Sequence, residues 1–436
     1  MTLAADDSYY LATLPRRAAS VRLQGRHEAR VGIVGAGFAG LATAMGLVER
    51  GMRDVALVEA GRVGHGASGR NGGFVFGGYS LDCSDLLLQL GPSLARSTYA
   101  LTRAAVALIR ERIRRHGIEC DAVEGGALLA NWFGDDRILQ RQQRRMAEHF
   151  GVHWKSIDRG DLQAHVRTQR YSAALLEPDA FHFHPLKYAA GLARAIAQAG
   201  ARVHEDSPVV SVARDGCGWS VRTAEGELRC EHLVVAGGGY LRALVPALER
   251  AMLPIATYVM ATEPLGERVR EFIPSAAAIY DTRFAFDYYR VLPDTRILWG
   301  GRIAVAQRTP AAIAEFLRRD MLRVYPGLAD ARITHAWGGL MSYACHKMPQ
   351  VGRLTSGQAT GAWHAQSFGG HGVAPTTVAG EALAATIAEN RPLPEGLTRY
   401  GLPRTWGGAG LAAAQATYWW AQARDAWRER RSPPAG

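Results

Sequence analysis

Side chains nearly vanish at four places along the chain: Gly35-Ala36-Gly37-Phe38-Ala39-Gly40, the stretch 61–73, Gly237-Gly238-Gly239 and Gly369-Gly370-His371-Gly372. Bare backbone of this kind acts through its N–H groups, which can lie against a flat or phosphate-bearing ligand with no Cβ in the way. The first stretch carries the most information. An apolar, β-branched run at 31–34 precedes it and reads as a buried parallel strand, while Leu41, Ala44, Met45, Leu47 and Val48 recur after it at helical spacing. Gly51 ends that helix, and 55–58 forms a second strand closed by Glu59 and Ala60. In such a strand-turn-helix-strand unit Gly35 permits the tight turn, Gly37 lets backbone approach a pyrophosphate, and Gly40 lets the helix pack on the strand. Glu59 is placed to accept hydrogen bonds from ribose hydroxyls and to repel a 2′-phosphate, so the pattern predicts a dinucleotide other than NADP.

The elements that must position these turns follow in order. Residues 1–29 read as a polar arm on the surface. The stretch 61–73 places Ser68, Arg70 and Asn71 among glycines as hydrogen-bond donors, with a flexible linker as the plainer alternative. Periodicity predicts helices over 84–116, 135–149, 186–199, 310–324, 376–389 and 410–431, and a strand pair over 120–129. His182 and His184 are read as structural or pocket-lining, since no third metal ligand lies near them. A buried strand ending at Gly237 and Gly238 looks like a second crossing to the same ligand. From 251 to 303 the pattern turns alternating and aromatic, which implies a separate antiparallel sheet.

Composition narrows the class. At 436 residues with 48% apolar content, the chain is expected to form two domains. No apolar run is long enough to span a membrane, and the first residues lack signal-peptide order, so a soluble cytoplasmic protein is expected. Five cysteines without CxxC spacing argue against zinc and disulfides. The net charge of +11 is spread along the chain, with lysine only at Lys155, Lys187 and Lys347, which excludes a nucleic-acid stripe but suits anionic substrates.

GAGFAG, Glu59, GHGASGRNGG, LVVAGGGY, YDTRFAFDYYR, ILWGGR and SFGGHGV together resemble the FAD-dependent oxidoreductases of the D-amino-acid-oxidase-like superfamily, and most nearly the γ-glutamylputrescine oxidase branch. The resemblance spans about residues 8–395. It implies an α/β protein: a Rossmann-like FAD-binding domain (30–100, 155–245 and 335–395), an α+β substrate domain on an antiparallel sheet (101–154 and 246–334), and a C-terminal helical segment (396–436). It also implies that Gly35, Gly37, Phe38, Ala39 and Gly40 take the pyrophosphate, and that Ser68, Arg70, Asn71, Gly72 and Gly73 line the isoalloxazine. Val209 offers its backbone to adenine, and Gly369, Gly370, His371, Gly372 and Val373 sit at the pyrimidine end. Two departures matter. Amino-acid oxidases of the superfamily carry Trp-x-Gly-x-Arg to grip a carboxylate, whereas this chain has Trp337-Gly338-Gly339-Leu340-Met341. The position of the flavin-linking cysteine of sarcosine oxidases is Tyr343 here, with Cys345 displaced by two, so non-covalent FAD is expected.

The resulting expectation is an amine oxidase that turns a primary or secondary amine, γ-glutamylputrescine-like, into an imine and then an aldehyde, with O2 reduced to H2O2. A D-amino-acid or N-methyl-amino-acid dehydrogenase with another acceptor, and a non-catalytic flavin-binding subunit, are the alternatives. A homo-oligomer is compatible with either. Tyr258, Tyr288, Tyr289, Trp363 and Phe368 are expected as aromatic walls, with only one of Tyr288 and Tyr289 facing the pocket. His346, Lys347 and His371 are expected beside the flavin. Arg302 and Arg290 are read as anchors for an anionic tail or as partners of Asp287 or Asp281.

Overall fold

The computed structural model describes residues 8–16 and 19–431. Two eight-stranded sheets organise it. The first runs Gln350–Arg353, Trp363–Gln366, Gly226–Val235, Gly25–Val34, Val55–Val58 and Arg202–His204, with two further antiparallel strands hung on Gly226–Val235. Gly25–Val34 pairs in parallel on both sides, and its last four residues are buried on both faces, as expected of a strand covered by helices. Helix Phe38–Glu49 lies on this sheet beside Val373–Glu389, and Cys83–Arg115 packs outside them. Gly91, at φ 75° and just ahead of Pro92, kinks that long helix.

Gly35 sits at φ 103°, where L side chains are strained, and a Cβ there would run into the Ala236 carbonyl. A Cβ on Gly40 would overlap the Gly35 carbonyl. The helix is therefore seated on the turn backbone to backbone. Further along, the fully buried Arg112 guanidinium meets Glu49 at 2.6 Å and also Glu381, and Arg50 meets Glu381 at 2.9 Å. Three helices are thus joined through one ion cluster.

The second sheet runs Ile333–Tyr343, Leu253–Thr262, Ile297–Ala304, Asp287–Val291, Ala278–Asp281, Ala127–Ala130, Ala174–Glu177 and Lys155–Ile157, antiparallel except between Ala278–Asp281 and Ala127–Ala130. Helix Pro310–Val324 covers one face over a core that includes Trp299 and Tyr289, stacked at 4.2 Å. Several boundaries fall elsewhere than expected. Segments 155–177 and 333–343 are hydrogen-bonded into this sheet, while 101–115 continues a helix that packs against Val373–Glu389 on the first. Only one strand forms within 120–130. The N-terminal arm is not wholly superficial, because Tyr9 and Tyr10 are buried and the first strand already begins at Gly25. Parts of the expected arm and C-terminal segment, at 1–7, 17–18 and 432–436, lie outside the described residues. Among those described, no helix is long and apolar enough to cross a membrane.

Replacing Arg112 with methionine leaves Glu49 and Glu381 without their buried counter-ion. Glu381 keeps Arg50 at 2.9 Å and Glu49 keeps Arg115 at 3.5 Å, so the expected loss is about 1–3 kcal/mol of unfolding free energy, measured by urea denaturation against the parent chain.

Candidate active site

A cleft of about 1950 Å³ opens between the two sheets. Ordinary small-molecule sites occupy roughly 300–1,000 Å³, so this one has room for an extended ligand and a second molecule together. The N-terminus of helix Phe38–Glu49 forms its floor. Its N-cap, Gly37, offers no side chain, and the Phe38 N–H donates to Ser68 Oγ at 2.8 Å. First-turn amides have no intrahelical acceptor and suit an anion. Glu59 stands at the end of the neighbouring strand, its carboxylate accepting from the Ala36 N–H at 2.7 Å and the Gly61 N–H at 3.0 Å. A carboxylate has about four lone-pair sites, so acceptor capacity remains for hydroxyl groups. Ala60 and Val209 line this end as well, Val209 lying just ahead of strand Ser211–Asp215.

The 61–73 stretch is not a loose linker. Asn71 Nδ2 donates to the Ala67 and Ser68 carbonyls at 3.1 and 2.8 Å, and its Oδ1 accepts from the Gly73 N–H at 2.8 Å. Arg70 donates to the His65 and Gly338 carbonyls, and the Trp337 indole donates back to the Arg70 carbonyl. Both side chains are thus used to shape the loop. Arg290, buried, donates to the Gly72 carbonyl at 2.8 Å, the Phe183 carbonyl at 2.8 Å and the Tyr10 hydroxyl at 3.2 Å. It fastens the loop from behind and does not reach the cleft.

Across the cleft, Ser367-Phe368-Gly369-Gly370 turns through positive φ at Ser367, Gly369 and Gly370, and helix Val373–Glu389 starts with Gly372 as its N-cap. A second helix start therefore faces the same space. His371 Nε2 donates to the Gly77 carbonyl at 3.0 Å, and the ring edge rests on Phe76. Burial pushes its pKa down to about 4, so the imidazole is neutral at physiological pH. Gly237 and Gly238 complete the floor beside the Gly35 turn.

The expected aromatic and basic residues separate into two groups. Tyr288 lines the cleft with its ring laid over Gly72 and Gly300, where any Cβ would overlap it, and Phe368 lines it too. Tyr289 points the opposite way, into the core with Trp299, as strand alternation requires. Tyr258 is also a core residue, its hydroxyl donating to the Ala306 carbonyl at 2.5 Å. Trp363 sits outside the cleft beneath the Arg353 guanidinium, and His346 packs against Tyr400. Arg302 borders the cleft but is spent on Asp320, at 2.6 and 2.8 Å. Asp281 and Asp287 are taken by Arg283, a residue not singled out from the sequence, rather than by Arg302 or Arg290. Tyr280, Phe76 and Phe286 were missed as cleft residues, as was Tyr418 of the C-terminal helix. Alternation within the Tyr280-bearing strand was the one available signal. Lys347, held at φ 60°, does line the cleft, its ammonium 5.9 Å from the Phe284 ring.

Comparison with known proteins agrees with this geometry. Residues 30–386 match the family described as FAD dependent oxidoreductase (DAO). The chain belongs to that family. It is 34% identical over 379 residues to gamma-glutamylputrescine oxidoreductase of Escherichia coli (strain K12), covering 86% of this chain and 88% of that protein. It is 31% identical to the probable oxidoreductase OrdL of Haemophilus influenzae, covering 87% and 88%. The fold matches the crystal structure of glycine oxidase from Geobacillus kaustophilus with a TM-score of 0.73 at 22% identity, over 87% of this chain and all of that one. It matches L-proline dehydrogenase from P. horikoshii at 0.71 and 18%, over 86% and 98%.

The residues of this flavoenzyme fit FAD. Amides at the Phe38 helix start suit its pyrophosphate and Glu59 its ribose. A Cβ on Gly37 would meet only Ser68 and the space the ligand needs. Glu59→Ala is expected to weaken FAD binding about 10–100-fold, the worth of a hydrogen bond to a charged group, read by flavin fluorescence during titration of the apoprotein. Stability is expected to fall on acidification from about pH 6.5 toward 4. Burial lowers His182 and His184 to about 3 and His346, His364 and His371 to about 4, so the unfolded chain binds more protons in that window. Glu177 and Asp287, both raised to about 7 by burial, oppose this but are fewer. Thermal unfolding midpoints at the two pH values measure the sign.

Proposed function

We propose that this flavoenzyme oxidises a primary or secondary amine that carries an anionic group remote from the reacting carbon, as γ-glutamylputrescine does. The amine carbon and nitrogen lose two electrons and two protons to give an imine, water hydrolyses it to the aldehyde with release of ammonia (or of a primary amine from a secondary substrate), and O2 accepts the electrons and protons as H2O2. Bound FAD supplies the two-electron acceptor for the amine. Tyr288, Tyr280 and Phe286 wall the cleft with apolar surface, which orients the substrate and limits water. His371, neutral and with its Nε2 proton held on the Gly77 carbonyl, adds no cation beside the amine.

The observation that carries this reading is the distribution of charge. Met341, where amino-acid oxidases keep an arginine, lines the cleft and is silent toward a carboxylate next to the amine. Arg302 and Arg283 are neutralised by aspartates. Lys347 lines the cleft, and no carboxylate among the described residues pairs with it. Arg424 of the C-terminal helix lines the same cleft and has a buried Nε with no partner. Lys347 and Arg424 thus serve as the anchor for the distal anion, a role expected from the sequence of Arg302 and Arg290.

Lys347→Met is expected to raise KM for γ-glutamylputrescine about 10–100-fold while leaving kcat/KM for an uncharged alkylamine within about twofold. Peroxide formation and flavin bleaching are measured in parallel. Bleaching without peroxide would transfer the electrons to an acceptor other than O2, and equal losses for both amines would remove Lys347 from the anion site.

A further inference from the structure

Helix Gly408–Arg431 is inverted relative to an ordinary surface helix. Four of its polar side chains face the protein. The Tyr418 hydroxyl accepts from the Ile303 N–H at 3.1 Å, Gln415 from the Val305 N–H at 3.2 Å and Asp425 from the Phe284 N–H at 2.8 Å. Glu429 meets Arg170 at 2.6 Å and Arg323 at 2.9 Å. Both acids of the helix are therefore turned inward. The outward face carries Ala412, Ala416, Trp419, Trp420, Ala423 and Trp427 at i, i+3, i+4 and i+7 spacing, all exposed. Trp419, Trp420 and Trp427 are 65%, 63% and 52% exposed, and Trp406, just before the helix, is 77% exposed. Isolated apolar residues on a surface are ordinary, but a continuous stripe of this kind marks an interaction site.

Charge identifies what covers it. The stripe has no acid on it and ends in the exposed Arg428, Arg430 and Arg431, with the Arg431 guanidinium 4.0 Å from the Trp427 ring. A second copy of the chain seated on the same face would offer those arginines no acid to meet. An anionic bilayer offers phosphates to the arginines and an interfacial layer to the tryptophans, the level at which amphipathic indole rings settle. The chain's overall charge of +11 adds to that attraction.

We propose that the Trp419/Trp420/Trp427 face of the C-terminal helix docks this enzyme on anionic phospholipid bilayers as a peripheral, non-spanning contact. Because Thr417 and Tyr418 of the same helix border the cleft, docking brings the cleft rim close to the membrane surface.

The test is co-sedimentation of the full-length holoenzyme with vesicles of phosphatidylglycerol and phosphatidylcholine, and with phosphatidylcholine alone. Binding is expected to the mixed vesicles only, to fall as salt rises, and to drop at least tenfold in Trp419→Ser/Trp420→Ser/Trp427→Ser, whose flavin content and amine turnover in solution stay unchanged. Arg428→Gln/Arg430→Gln/Arg431→Gln, which removes charge and leaves the three tryptophans in place, is expected to lose binding as well and keeps the test decisive should the tryptophan variant not fold. Equal sedimentation with both vesicle types, or none, overturns the proposal. So does a parent that is a dimer in solution and becomes a monomer in the tryptophan variant, which would make a second copy the occupant.

Discussion

The structure depends on one close approach of backbone to backbone. Helix Phe38–Glu49 can aim its first turn into the cleft only because Gly40 rests on the Gly35 carbonyl and Gly35 itself turns at positive φ against Ala236. A Cβ at either glycine would tilt or lift the helix, and its amides would no longer converge with Glu59 on one ligand. The other parts of the site are fastened to this point. Ser68 reaches back to the Phe38 N–H, Asn71 shapes the loop that follows Ser68, and Arg290 holds that loop from the second sheet.

The second sheet carries a different kind of constraint. It buries several charges beside an apolar core, and each must be compensated locally. Arg283 closes on Asp281 and Asp287, and Arg302 on Asp320. Asp281, Asp287 and Arg283 are all buried, and desolvation pushes the Asp287 pKa up against the pull of its guanidinium neighbour. What still faces the cleft is aromatic surface from Tyr280, Phe286 and Tyr288, and the cations Arg242, Lys347, Arg404 and Arg424, which no carboxylate pairs among the described residues.

The first sheet was legible in the sequence because its signals are local. The glycine turn, the helix after it, the strand closed by Glu59 and the helix expected over 186–199 each follow from periodicity and turn chemistry within a dozen or so residues. Facing was legible in part, since alternation foresaw that Tyr288 and Tyr289 diverge but not that Tyr258 and Trp363 lie away from the cleft. Pairing over long separations was not legible at all. Nothing in a single sequence ties Arg302 to Asp320, Arg290 to Gly72, or strand Ile333–Tyr343 to the antiparallel sheet, because those depend on which surfaces meet after folding. The burial of Tyr9 and Tyr10 was hidden for the same reason, their partners lying near His184, Arg290 and Trp337.

The central claim is that two helix starts and the loop between the sheets hold a single FAD in one orientation. A crystal structure of the purified holoenzyme tests this most directly. The account predicts the pyrophosphate at the Phe38 helix start, adenosine beside Glu59 and Val209, and the flavin ring between the 68–72 loop and the 369–373 turn. A dinucleotide bound in the reverse sense, or located anywhere other than this cleft, would contradict it.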